Sequence, residues 1–159
     1  MLKKWKKQCK NERGLTLVEL LAVVVILGIL AAIAVPSIGG LIDNSKKDAH
    51  VANARQMISS AKLMVASEDV IPGSTENEKF YLVDLEESGY LEKMDDPDKV
   101  KNGYKRTKNK NGSYVEVEKR ENNITYKVFL TNGERSVSDG NNEAVQESDL
   151  SRESVKEQS

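Results

Sequence analysis

The chain has 159 residues, 38 % hydrophobic and 31 % charged, with a formal net charge of −1, and its length suits one domain of ordinary size. That near-neutral average hides a split: Lys3, Lys4, Lys6, Lys7, Lys10 and Arg13 face only Glu12 before Gly14, and the chain after Gly14 carries 18 basic against 24 acidic residues, a net of −6. An acidic body has no general attraction for nucleic-acid phosphate, the single Cys9 excludes an intrachain disulfide, and the single His50 has no metal ligands or catalytic partner near it in sequence, so it reads as a solvated helix residue.

Residues 1–14 form a hydrophilic, cationic leader. From Leu20 to Ile42 no residue is charged, and about 23 residues at ~1.5 Å each make a helix of roughly 35 Å, enough to cross a bilayer. The segment is apolar on every face, as a helix in lipid or inside a bundle must be. Pro36, followed by Ser37, Gly39 and Gly40, is expected to loosen or kink it, because proline lacks the backbone donor and glycine lowers helix propensity. Beyond that point Leu41, Ala54, Ile58, Ala61 and Val65 fall near one face and Lys46, Lys47, Asp48, Arg55 and Lys62 largely elsewhere. The expectation is one long helix from about Leu15 to Ala66, its first half apolar throughout and its second half amphipathic.

"IPGSTENE", Ile71 to Glu78, is a loop by composition. "FYLVDLEESGYL" fits a short helix with Gly89 at its C-terminal cap, and "DDPD", Asp95 to Asp98, is a turn. Three alternating segments follow, Gly103–Thr107, Tyr114–Lys119 and Ile124–Leu130, separated by "NKNG" and "RENN". They predict a small antiparallel meander. After about Glu134 large apolar residues are few, and residues 134–159 read as a disordered acidic tail.

The stretch "RGLTLVEL" joins these features: a basic leader ends in Gly14, Leu15 opens the apolar run, and Glu19 stands five residues after the glycine. Across Lys3 to about Ile42 the chain resembles the type IV pilins and pseudopilins with their prepilin-type leader. That resemblance implies an α+β, pilin-like fold in which the long N-terminal helix, membrane-spanning in its first half, packs on a small antiparallel sheet. Four parts follow: leader 1–14, transmembrane and assembly helix 15–42, soluble domain 43–133 and tail 134–159. It further implies cleavage between Gly14 and Leu15 by a prepilin peptidase, methylation of the new amino terminus on Leu15, and assembly into a filament with copies of itself and minor pilins, driven by an assembly ATPase and a membrane platform protein. Before assembly the partner is membrane lipid, with the C-terminal domain outside the plasma membrane; afterwards the chain belongs to an envelope or cell-surface filament. Leu15 departs from the family's commonest phenylalanine but keeps its apolar character.

A carboxylate at membrane depth costs about 3 kcal/mol and should seek a partner. For Glu19 the family implies the Leu15 α-amino group of a neighbouring subunit; its own terminus, with the helix dipole, is the alternative. Pro36 matches the family's segment that loosens as subunits pack. "YLVDLEESGYLEKMDDPD", Tyr81 to Asp98, also resembles a pseudopilin pattern, which tilts the task toward secretion or competence within a set that still includes adhesion and motility.

Two readings without a filament stay open: a secreted domain cut after Ala34 in the pattern Ala32, Ile33, Ala34, and an uncleaved single-span anchor with its basic head inside. An enzyme is not indicated. Asp95, Asp96 and Asp98 are calcium candidates, but Pro97 interrupts their spacing and no EF-hand loop is present, so a solvated turn without cofactor is expected. The lysines and arginine between Lys99 and Lys110 read as a solvated hairpin, and direct nucleic-acid binding is not expected.

Overall fold

The computed structural model describes residues 9–67, 78–120 and 123–158. Lys3, Lys4, Lys6 and Lys7 of the leader, most of the 71–78 loop and the middle of "RENN" lie outside them. The chain divides into two compact units, the first ending at Asp43 and the second beginning at Asn44.

Helix α1, Cys9–Ala66, contributes to both units. In the first unit the sixteen large apolar residues between Leu17 and Ile42 are all 52–68 % exposed. The helical assignment runs through Pro36 without interruption, although the proline leaves the Ala32 carbonyl without its usual N–H partner. Gly14 is also helical, because good helix formers flank it and offset the ~1 kcal/mol that glycine costs.

In the second unit α1 is amphipathic. Val51, Ala54, Met57, Ile58 and Ala61 are buried at spacings of three and four, with Met64 and Val65 partly so. Leu41, expected on that face, is exposed. Strand β1, Glu78–Tyr81, precedes helix α2, Leu82–Glu87. Phe80 and Tyr81, expected in the helix, instead pair with Val115 and Tyr114 of strand β2, Tyr114–Arg120. Gly89 ends the α2 turn at φ +77°, where an L-residue with a Cβ would be strained, and its N–H donates to the Glu86 carbonyl. Arg106 ties α2 to the following loop by donating to both Glu86 carboxylate oxygens, at 2.7 and 2.9 Å, and to the Met94 carbonyl.

Residues 103–107 form no strand. Gly103 is left-handed and Tyr104 turns into the interior, so only isolated backbone bonds remain, Lys105 N–H to Thr131 and Ser113 N–H to Lys105. Strand β3, Asn123–Thr131, pairs antiparallel with β2 in the register Val115 to Val128 and Val117 to Tyr126. Val115, Val117, Val128 and Leu130 face the same hydrophobic cluster as α1.

The expected disordered tail is ordered. Strands β4, Arg135–Val137, β5, Val145–Gln146, and β6, Val155–Glu157, extend the sheet: β4 and β5 pair with β3, and β6 pairs with β4, all antiparallel. Four apolar residues, Val137, Val145, Leu150 and Val155, are enough because each is buried in the core. Around them Ser136, Ser138 and Ser154 are buried as well, with Ser136 and Ser138 hydroxyls hydrogen-bonded to each other. The segment 147–152 also clasps α1 at three heights: Lys62 to Glu147 at 2.6 Å, Arg55 to the Leu150 carbonyl at 3.0 Å, and Arg152 to Asp48 through two bonds of 2.6 and 2.7 Å. It runs antiparallel to the helix.

Candidate functional site

Two places in the chain gather polar groups that function could use, and they differ in kind. The first is Glu19 on α1. It is exposed, as are its neighbours Leu17, Val18, Leu20 and Leu21, so the carboxylate stands in a surface that is otherwise hydrocarbon. Exposing sixteen large apolar side chains, each worth about 1.5–3 kcal/mol on burial, is tolerable only if lipid or protein covers them. The helix is long and apolar enough to cross a membrane. Gly14 and Leu15 lie in the same helix, one turn before Glu19.

The second is a buried network in the second unit. His50, expected in solvent, is 2 % exposed. Tyr104 receives an N–H from Asn53 at 3.0 Å, so its hydroxyl proton turns to His50 Nδ1 at 2.8 Å, which leaves His50 Nε2–H for Asp98 Oδ2 at 2.8 Å. Burial raises the Tyr104 pKa well above its ordinary value, with the Asn53 bond opposing and the Asp96 and Asp98 charges adding to the rise. The hydroxyl therefore stays protonated and remains a donor. For Asp98, burial disfavours the charge, but the His50 hydrogen bond, the Arg135 charge and the Lys46 contact outweigh it and hold the carboxyl below its usual range.

His50, Asp96 and Asp98 have the donor types of a metal site, with their ligand atoms within 4.8 Å of one another. The place between the two carboxylates is taken, however, by the Asn132 amide, whose Nδ2 lies 3.0 and 3.1 Å from the Asp96 oxygens and 3.3 Å from Asp98. Its Oδ1 accepts the Glu134 and Arg135 N–H groups, which fixes the orientation. Asp96 also accepts the N–H groups of Asp98 and Val100, and Asp98 faces Lys46 at 3.4 Å and Arg135 at 3.5 Å. Two carboxylates are thus matched by two cations and an amide, whereas calcium asks for six to eight oxygens. Asp95, the third calcium candidate, is exposed and contributes to this region only its carbonyl, which accepts from Asn53. Among the described residues no buried side-chain polar atom lacks a hydrogen bond. The network is a structural anchor that fastens the 95–104 loop and the β3–β4 turn to α1.

Sequence reasoning singled out Gly14, Leu15 and Glu19 in the first place and, of the second, only Asp96 and Asp98, while it left His50 in solvent. His50 lies 48 residues from Asp98 and 54 from Tyr104, so no local pattern joins them.

A family profile, the prokaryotic N-terminal methylation motif, matches residues 9–35. No curated protein and no solved structure matches the chain. The chain carries the type IV pilin and pseudopilin signature on a pilin-like α+β fold. Proteins with this motif are processed by prepilin peptidase and assembled into filaments, and they are structural rather than catalytic.

Proposed function

We propose that the chain is a prepilin-type filament subunit, cut between Gly14 and Leu15, N-methylated on Leu15 and assembled through the apolar half of α1 with Glu19 paired to the Leu15 amine of a neighbour. The observation that carries this reading is the methylation motif at 9–35 lying on a helix whose apolar residues are exposed on all sides. Gly14 suits a protease because it lowers the cost of opening the helical turn that holds it, by about 1 kcal/mol relative to alanine. Cutting before the apolar run leaves the mature chain in the membrane until assembly extracts it. An intersubunit pair neutralises two charges that are costly to leave alone in hydrocarbon.

Intact mass and amino-terminal sequencing of membrane-extracted protein test the reading. A methylated start at Leu15 is expected. A start at Val35 supports a secreted domain, and an unprocessed Met1 supports a plain anchor. A bulky residue at Gly14 should leave the precursor uncut, and normal processing of that variant counts against a prepilin peptidase. The filament's task belongs to the same proposal, with secretion and DNA uptake favoured by the pseudopilin-like Tyr81–Asp98 segment.

A further inference from the structure

Alternation along β2 and β3 sends Val115, Val117, Val128 and Leu130 into the main hydrophobic cluster, so Tyr114 and Phe129, which pair across the two strands, point to the opposite face of the sheet. Their ring centroids are 5.6 Å apart and the residues are only 7 and 4 % exposed, yet neither belongs to that cluster. They line a hollow of about 730 Å³, and a second hollow of about 350 Å³ shares Tyr114 and Glu143 with it. The two make one trough.

Two braced loops line it. Asn109 accepts the Asn111 N–H through its side chain and the Gly112 N–H through its carbonyl, both at 2.9 Å, in a turn so tight that a Cβ on Gly112 would stand 1.8 Å from the Thr107 carbonyl oxygen. The Asp139 carboxylate accepts the Asn141 and Glu143 N–H groups at 2.8 and 3.2 Å, and Asn142 between them takes the left-handed φ of +62° that asparagine tolerates. Walls fixed in advance lose little freedom when something binds between them.

The side chains on these walls are unspent. Among the described residues those of Lys105, Lys110, Asn111 and Asn141 make no hydrogen bond or ion pair within the chain. Lys105 passes over Gly133, where a Cβ would stand 2.7 Å from its Cε, so the glycine makes room for the ammonium beside the trough. Four lysines line the trough against Glu116 and Glu143, in a body that is otherwise acidic. Of the four, Lys79 rests over the Tyr114 ring and Lys127 faces Glu118, which leaves Lys105 and Lys110 for a ligand.

This lining selects a class of ligand. An amide presents a donor and an acceptor side by side, the pair that each sugar hydroxyl also carries, whereas a phosphate backbone offers acceptors only. Rings so nearly covered give hydrocarbon contact but no open face on which the bases of a single strand could stack. The strands beneath are already paired with one another, so the floor has no free edge to which a peptide could add a strand. Two free ammonium groups call for a carboxylate. We propose that the trough binds an acidic oligosaccharide, its hydroxyls held by Asn111 and Asn141 and its carboxylate by Lys105 and Lys110. Every residue involved belongs to the second unit, and the site does not depend on the filament reading.

Isothermal titration calorimetry on the full chain in detergent micelles tests this with trigalacturonate, with its uncharged methyl ester and with a single-stranded DNA hexamer. Trigalacturonate should bind with a Kd below about 1 mM, and the ester about tenfold more weakly because the charge-assisted contacts are gone. Lys105→Gln with Lys110→Gln should weaken trigalacturonate about tenfold and leave the ester unchanged, and Asn111→Ala with Asn141→Ala should weaken both sugars about fivefold. All four residues are exposed, so the variants should fold, which circular dichroism checks. Lys101→Gln, at an exposed lysine outside the trough, should change nothing. No heat from trigalacturonate at about 10 mM, equal affinity for acid and ester, or binding untouched by the asparagine pair would each overturn the proposal. Binding of the DNA hexamer alone, lost in the lysine pair, would assign the trough to nucleic acid and overturn it as well.

Discussion

Leu150 lies in the segment whose composition suggests disorder, yet it is 4 % exposed and belongs to the main hydrophobic cluster. Leu150→Ala therefore tests whether residues beyond Glu134 are part of the fold. Truncating a core leucine costs about 2–5 kcal/mol, the transfer term plus the cavity left behind. The Arg55 bond to the Leu150 carbonyl survives the substitution, so a loss near 3 kcal/mol is expected. In a domain of this size each kcal/mol moves the midpoint by a few degrees, which puts the fall at about 10 °C. The assay is thermal unfolding followed by circular dichroism on the chain begun at Asp43, which should itself unfold cooperatively. Leu63→Ala, at a leucine 60 % exposed on α1, is the matched control and should change stability by less than about 0.5 kcal/mol. Equal midpoints for the two variants would refute the burial argument.

Three further outcomes are expected. Glu19→Ala and Glu19→Gln should leave insertion and cleavage at Gly14 intact but sharply reduce filaments sheared from cells; normal filaments from either variant as the only copy would remove the intersubunit role. Because the Asp98 pKa is lowered on folding, the stability it contributes is complete above the unfolded value of about 4 and is lost as pH falls through the folded value. Asp98→Asn should thus be less stable than the natural chain at neutral pH, with the gap closing below about pH 4 in denaturant titrations. Calcium should leave the unfolding midpoint of the natural chain unchanged, since the Asn132 amide holds the position between Asp96 and Asp98; a rise with calcium concentration would restore the metal reading.

What the sequence could reveal depended on the range of the interactions involved. The apolar run, the amphipathic half of α1 and the β2–β3 pair declare themselves by local periodicity, and Gly89 by its place after an α2 turn. The tail concealed itself because its core residues come one at a time and its buried serines count as polar in any composition window. Residues 103–107 alternate like a strand, but the pull of His50 and Asn53 on the Tyr104 hydroxyl draws the chain toward α1 instead. In the apolar half of α1 Glu19 was visible as a charge among hydrocarbon side chains. In the anchor each residue looks ordinary alone, and only the fold brings His50, Asp98 and Asn132 together.

The three clasps between segment 147–152 and α1 bear on mechanics. Pulling the helix lengthwise out of the second unit would load Lys62–Glu147, Arg55–Leu150 and Arg152–Asp48 side by side, so that they share the force and must yield together. Lifting the segment away from the helix would instead open them in succession, each carrying the full load in turn. The second unit is therefore stiffest against a pull along the axis of α1, and since two of the three clasps are solvent-exposed ion pairs, that stiffness should soften as ionic strength rises.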